Sequence, residues 1–276
     1  MAQTLGQIKL LLESFGLRPK KRFGQNFLHD GNKMQAILQA GDLQPGELVL
    51  EVGAGTGALT SRLLEADARV VAVEVDRDLW PILEQQFAGD DRLTLVKGDV
   101  LESKHQINPE VVRELGDQPF KLIANLPYNV ASPLLINLVT QFEQMSHAIV
   151  MVQKEVASRL SAEEKTRHYG RISVLIQVLA DVKVKFDVAP ENFFPKPKVH
   201  SSIIEIIPKK KIEFDYHKLD KFLKISFTHK RKTLKNNLSK IGSNIEEKIF
   251  KCGIDPALRP EEISPDQFIK LSQELL

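Results

Sequence analysis

The chain has 276 residues, 42% hydrophobic and 27% charged, with a formal net charge of +2 at pH 7. That is enough for one large domain, or for a large and a small one, at ordinary globular composition. It excludes a membrane span, since no run approaches roughly 18 apolar residues; the start Met1-Ala2-Gln3-Thr4 shows no secretory pattern, and the lone Cys252 makes neither an internal disulfide nor a zinc site.

In chain order, β-branched apolar runs alternate with helical stretches from about residue 46. Strands are expected at 48–52, 69–75, 93–96, 122–124 and 148–152, with helices at 58–65 and 79–87 between the first of them. Alternation of this kind means βαβ units and a parallel sheet. A late strand is expected over 199–207. Past Pro208-Lys209-Lys210-Lys211 the strands stop. Helices are expected over 219–227, 233–241 and 245–252. A last helix starts at Ser264, which acts as N-cap, with Pro265 at the first position and Gln267 closing a capping box. The organisation is thus an N-terminal segment over 1–45, an α/β sheet domain over 46–207 and a helical domain over 208–276.

The small net charge hides clusters. Residues 196–240 hold thirteen Lys and Arg against four Asp and Glu, and Arg18-Pro19-Lys20-Lys21-Arg22 forms a second basic group. Basic clusters on a near-neutral chain suggest a polyanionic partner. On charge alone a solvated face explains them equally well.

Three signals fall at successive strand ends. Glu51-Val52-Gly53-Ala54-Gly55-Thr56-Gly57-Ala58 places three glycines between a strand and a helix. There the backbone turns sharply and a ligand can approach main-chain atoms near the positive end of the helix. Glu74, at the end of the second strand, can accept from both ribose hydroxyls. Gly53 to Glu74 fits a nicotinamide dinucleotide as well as S-adenosylmethionine. Asp99, beyond the third strand, can accept from the exocyclic amine of an adenine. Open α/β sheets bind ligands at such carboxyl ends.

Asn125-Leu126-Pro127-Tyr128 closes the fourth strand. The chemistry it suits is methyl transfer to an aromatic amine, whose lone pair is delocalised into the ring. The Asn125 carboxamide oxygen and the Leu126 or Pro127 carbonyl can accept the amine hydrogens and turn the lone pair toward an incoming methyl group. Pro127 stiffens the loop. Tyr128 offers a face on which an unstacked base can lie, worth roughly 1–3 kcal/mol. Asn125 is no general base, so the work is positioning and polarisation. A plain X-Pro turn ending a strand is the rival explanation, and it weakens beside the glycine turn and the two acids.

These residues resemble those of Rossmann-like S-adenosylmethionine-dependent amino-methyltransferases. The nearer match is the ribosomal RNA adenine N6-dimethyltransferase family, in its small-subunit branch. The resemblance extends along nearly the whole chain. It takes in Arg22-Phe23-Gly24-Gln25-Asn26-Phe27-Leu28, Tyr169-Gly170-Arg171-Ile172-Ser173-Val174 and the F-x-P-x-P-x-V-x-S pattern from Phe193 to Ser201. In the tail it takes in 230–238 and Arg259-Pro260-Glu261-Glu262. The resemblance implies a cofactor site of Asn26, Leu28, Gly53, Gly55, Glu74, Asp99 and Asn125, with S-adenosylmethionine bound and no metal. It implies a catalytic group of Asn125, Leu126, Pro127, Tyr128 and Phe193, with Phe193 stacking the target adenine opposite Tyr128. RNA contacts are expected from Arg22, Lys230, Arg231, Lys232 and Lys235. The implied substrate is two adjacent adenosines in the 3′-terminal hairpin of 16S ribosomal RNA, inside an assembling small subunit, with a role in subunit biogenesis. A cytoplasmic monomer with no membrane partner is expected. The rival readings are a large-subunit (23S) adenine methyltransferase of the macrolide-resistance type, a DNA adenine methylase, a nicotinamide-dependent oxidoreductase that leaves Asn125–Tyr128 idle, and a ribosome assembly factor for which methylation is secondary.

Overall fold

The computed structural model describes residues 3–127, 130–209 and 214–276. In chain order the elements of the N-terminal half are helix α1 (Leu5–Ser14), strand β1 (Phe27–Leu28), α2 (Gly31–Ala40), β2 (Leu48–Val52), α3 (Ala58–Glu65), β3 (Arg69–Glu74), α4 (Trp80–Gln86) and β4 (Leu93–Lys97). There follow β5 (Leu101–Ser103), β6 (Gln106–Ile107), α5 (Pro109–Leu115), β7 (Phe120–Asn125), α6 (Ala131–Gln141) and β8 (Met145–Gln153). The remainder is α7 (Lys154–Leu160), α8 (Arg171–Leu179), β9 (Ala180–Val188), β10 (Phe193–Phe194), β11 (Ser201–Pro208), α9 (Tyr216–Ser226), α10 (Leu234–Leu238), α11 (Ile245–Lys251) and α12 (Pro265–Leu275).

Contacts divide the chain into two compact units, Met1–Ala157 with Lys183–Pro208, and Ser158–Val182 with Lys209–Leu276. The first holds a seven-stranded sheet in the order β4-β3-β2-β7-β8-β11-β9. Its strands β4, β3, β2, β7 and β8 are mutually parallel, and β11 returns antiparallel along β8. All five residues of β2 are buried, as are the last five of β3. Continuous apolar runs of this kind follow from helices covering both faces of a parallel sheet. Met34, Ile37 and Leu38 of α2 and Leu59, Leu63 and Leu64 of α3 lie in one apolar cluster with Val49, Val70, Ile123 and Ile149 of the sheet.

β9 was not expected from sequence. Its residues alternate charge and apolar side chains, Asp181-Val182-Lys183-Val184-Lys185, and it lies at the end of the sheet order. Lysines on an edge strand discourage pairing with another chain, and they also blunt the apolar signal by which strands are recognised.

The second unit is helical. Phe222 of α9 and Phe268 of α12 stack edge to face at 6.4 Å, and Phe227 lies 5.5 Å from Phe268. Tyr169 is buried beside Phe227 and donates its hydroxyl to the Ile263 carbonyl at 2.9 Å. The capping box of Ser264 and Gln267 starts α12 as expected. Sequence drew the start of the helical domain near 208; contacts place 158–182 with the tail as well, and the N-terminal 45 residues with the sheet. The physical reason is α8, whose Val174, Leu175, Ile176 and Val178 are buried and which is tied to α9 by the Arg171–Asp220 ion pair.

Candidate active site and basic loop

In the first unit β2 ends at Val52 and the chain turns into α3 through Gly53, Gly55 and Gly57, whose φ angles are +81°, +61° and +80°. L-residues with side chains pay roughly 1–2 kcal/mol for that region. Space adds to this: a Cβ on Gly53 would lie a tight 3.3 Å from the Pro127 ring and one on Gly55 3.2 Å from the Phe27 ring. The turn folds back on β3. Gly53 N–H donates to the Val73 carbonyl at 2.8 Å, and Gly55 N–H to Glu74 Oε2 at 2.8 Å.

Glu74 is 5% exposed, and its other oxygen accepts from the Asp76 amide at 2.8 Å. Burial raises its pKa, against the pull of those two amides. Glu51, 2% exposed, accepts from the Thr60 hydroxyl at 2.6 Å. Burial pushes its pKa up to about 8; the Thr60 bond opposes that and the charge of Glu74 adds to it. Asp99 is exposed beyond the end of β4 and accepts from the Leu101 amide at 2.9 Å.

A strap of chain from Lys20 to Leu28 runs along these strand ends. Asn125 closes β7 and donates its Nδ2 to the Asn26 carbonyl at 3.1 Å. With its nitrogen engaged, Asn125 has its carboxamide oxygen available as an acceptor. After it, the Leu126 amide donates to the Met151 carbonyl at 3.1 Å and the Pro127 carbonyl accepts from Val130 at 3.2 Å. Arg22, Asn26, Leu28, Gly53, Gly55, Glu74, Asp99, Asn125, Leu126 and Pro127 all line one cavity of about 310 Å³, a size ordinary for small-molecule sites. Sequence reasoning therefore named residues that the fold brings together. Tyr128 lies outside the described residues.

Phe193 departs from expectation. Instead of presenting a ring to a base, it is 3% exposed. It pairs with Leu28 across the β1–β10 ladder and packs in the cluster that contains Met34, Val188 and Ile203. Backbone pairing turns the next residue, Phe194, the other way: it is half-buried, opposite Phe27, with the Lys9 ammonium 5.2 Å from its ring.

Four residues went unread from sequence. Glu51 and Thr56 lie inside the quoted glycine motif and line the cavity. The Thr56 hydroxyl is buried without a hydrogen-bond partner. Gln25 and Asp76 meet across 51 residues at 2.7 Å. The spacing Glu74-Val75-Asp76 was visible, but not its partner. Among the described residues no group of three or more His, Cys, Asp or Glu side chains is placed to hold a metal ion, and no helix is long and apolar enough to cross a membrane.

In the second unit Lys230, Arg231 and Lys232 sit on an exposed loop before α10. Asn237, buried within α10, holds that loop: its Oδ1 accepts from the His229 amide at 3.1 Å and its Nδ2 donates to the His229 carbonyl at 3.1 Å. Lys230 donates to the Tyr169 carbonyl at 3.4 Å, and Lys235 pairs with Glu246 at 3.3 Å. Arg231 and Lys232 extend into solvent.

Comparison with known proteins adds an independent line. Residues 16–276 match the family model described as ribosomal RNA adenine dimethylase. A protein of Magnetococcus marinus named ribosomal RNA small subunit methyltransferase A is 40% identical over 271 residues, covering 97% of this chain and 95% of its own length. A protein of the same name from Lactobacillus acidophilus is 36% identical over 280 residues, covering 97% and 95%. Among solved structures, a dimethyladenosine transferase from Plasmodium falciparum superposes with a TM-score of 0.72 at 24% identity, covering 89% of this chain and 95% of that one. The 23S rRNA methyltransferase ErmE superposes at 0.67 and 22% identity, covering 91% and 99%. At those identities the two structures speak to the fold.

Proposed function

The chain belongs to the ribosomal RNA adenine dimethylase family, and from that premise we propose that it dimethylates the N6 amines of two adjacent adenosines in the 3′-terminal hairpin of small-subunit ribosomal RNA. It is an S-adenosylmethionine-dependent enzyme of the methyltransferase fold. The substrate in this reading is an assembling small subunit, and the enzyme acts as a cytoplasmic monomer.

The residues present suit the cofactor. A cradle of left-handed glycines keeps the backbone bare where a Cβ would be strained and tightly packed, Glu74 keeps lone pairs for ribose hydroxyls after its two amide bonds, and the Thr56 hydroxyl is buried without a partner. When bound, S-adenosylmethionine supplies a methyl group on a sulfonium that a nitrogen lone pair can displace. Asn26, Leu28, Gly53, Gly55, Glu74, Asp99 and Asn125 hold it in this reading. Asn125 Oδ1 and the Leu126 or Pro127 carbonyl accept the N6 hydrogens and pyramidalise the nitrogen. Once the methyl group is on nitrogen the product is an ammonium, which loses its proton to solvent, and no side chain has to take it. A neutral carboxamide also tolerates the monomethylated amine, which has one hydrogen left to donate. Phe193 supports the cavity wall from the core, and Lys230, Arg231, Lys232 and Lys235 meet RNA phosphates.

The observation that carries this reading is the Asn125 carboxamide, turned by the Asn26 carbonyl so that its oxygen is the acceptor in the cavity lined by Glu74 and the glycine turn. The test uses labelled S-adenosylmethionine with unmethylated small subunits, unmethylated large subunits and naked small-subunit RNA, followed by digestion and mass spectrometry. N6,N6-dimethyladenosine at two neighbouring sites in small subunits is the expected result. Label in the large subunit would make this a resistance-type methyltransferase instead.

A further inference from the structure

The strap from Lys20 to Leu28 contains one 3₁₀ turn, Lys21–Phe23, and the two-residue strand β1. Residues 22–28 nevertheless form a wall of the cavity. Its attachments are therefore informative. At one end is Asp76, 2% exposed, two residues past Glu74. Asp76 Oδ1 accepts from Lys20 Nζ at 2.5 Å and Oδ2 from Gln25 Nε2 at 2.7 Å. Gln25 Oε1 accepts from the Lys20 amide at 2.6 Å, which closes a ring of three bonds, and Lys20 Nζ also reaches Asp78 at 2.5 Å. At the other end are the Asn125–Asn26 bond and the Leu28–Phe193 pairing. A buried carboxylate that takes both a lysine and an amide from one segment holds that segment, because losing the lysine leaves a buried charge unpaired and losing the amide removes a charge-assisted hydrogen bond.

We infer that Lys20, Gln25 and Asp76 form a latch that holds this strap closed over the cofactor cavity and sets the rate at which cofactor and spent cofactor exchange. The inference rests on the cofactor reading above. Two methyl groups on one nitrogen require the spent cofactor to leave between transfers, and lid opening of this kind often limits turnover. Asp76 and Lys20 are positioning residues: neither lines the cavity, and they act through the strap's backbone. The same strap carries the carbonyl that orients Asn125, so an open latch also releases the carboxamide.

The test needs no RNA. Lys20→Met is compared with wild type, with Lys20→Arg as the conservative rescue and Lys21→Met as a control for lost charge. The first readout is release of S-adenosylhomocysteine by stopped flow; the second is backbone hydrogen exchange over residues 20–28 in the cofactor-free protein. Loss of a hydrogen bond to a charged group predicts release about tenfold faster in Lys20→Met and faster exchange along the strap, with Lys20→Arg and Lys21→Met near wild type. Release within about twofold of wild type overturns the latch, whatever the exchange shows. If wild type fails to bind S-adenosylhomocysteine, the cofactor reading falls. The exchange arm then judges the latch alone: protection over residues 20–28 unchanged in Lys20→Met overturns it.

Discussion

Three polar side chains at or beside the cavity of the first unit are held by neighbours: Glu74 by two amides, Asn125 by the Asn26 carbonyl, Asp76 by Lys20 and Gln25. On the basic loop of the second unit the reverse holds. Asn237 fixes the backbone there, while Arg231 and Lys232 reach into solvent. The difference fits the two tasks proposed above. Chemistry on a particular atom needs directed acceptors held in place before the reaction. Attraction of a phosphate backbone needs charge density, to which the rotamer of each cation matters little.

The sharpest way to break that contrast is Asn125→Ala. The expected loss is about 10²–10³-fold in methyl transfer, the size of a lost transition-state hydrogen bond, with RNA affinity unchanged. Filter binding beside single-turnover transfer checks both, and a parallel loss of RNA binding would mean that the two regions do not divide the work. Glu51 tests the held region next. Its folded pKa, about 8, is raised from 4.5, so between those values the folded chain binds a proton that the unfolded chain gives up. Stability of the cofactor-free protein therefore falls as pH rises through that window. Glu51→Gln reduces the slope and leaves the part that the raised pKa of Glu74 contributes, as urea midpoints at several pH values would show. Arg231→Ala with Lys232→Ala probes the other side. It is expected to weaken RNA binding at every sequence and to flatten the plot of log affinity against log salt by roughly 0.7–0.9 per charge removed. Lys235→Ala does less, because Glu246 already neutralises that lysine. The smallest effect is expected from Thr56→Val. An unpartnered buried hydroxyl costs roughly 1–3 kcal/mol, so the valine raises the melting temperature of the cofactor-free protein and lowers cofactor affinity. Movement of both in one direction would show that Thr56 only packs.

Much of the sheet was legible because buried parallel strands are written as unbroken apolar runs, and the strand ends were legible because glycines and acids interrupt them. What escaped did so for physical reasons. The bonds of Asp76 to Lys20 and Gln25 join residues 56 and 51 positions apart, and no local pattern encodes such a meeting. Phe193 was expected to stack a base because the family pattern places it there. Its burial comes from pairing with β1, a strand too short to show a period. β9 was hidden by the lysines that protect an edge. On the basic loop composition revealed the charge, yet the residue that holds it, Asn237, looks like any polar side chain on a helix.

Chain connectivity carries a last consequence. The backbone leaves the sheet unit after Ala157, returns to it at Lys183 and leaves again after Pro208. The helical unit is thus encoded in two separate pieces of the gene. A single recombination joint at 208 would strand α8 with the wrong parent, its Val174, Leu175 and Ile176 facing a core that is no longer theirs. Exchanging the helical unit between relatives takes three joints, so lineages are expected to vary it by drift of its loops more readily than by trading it whole.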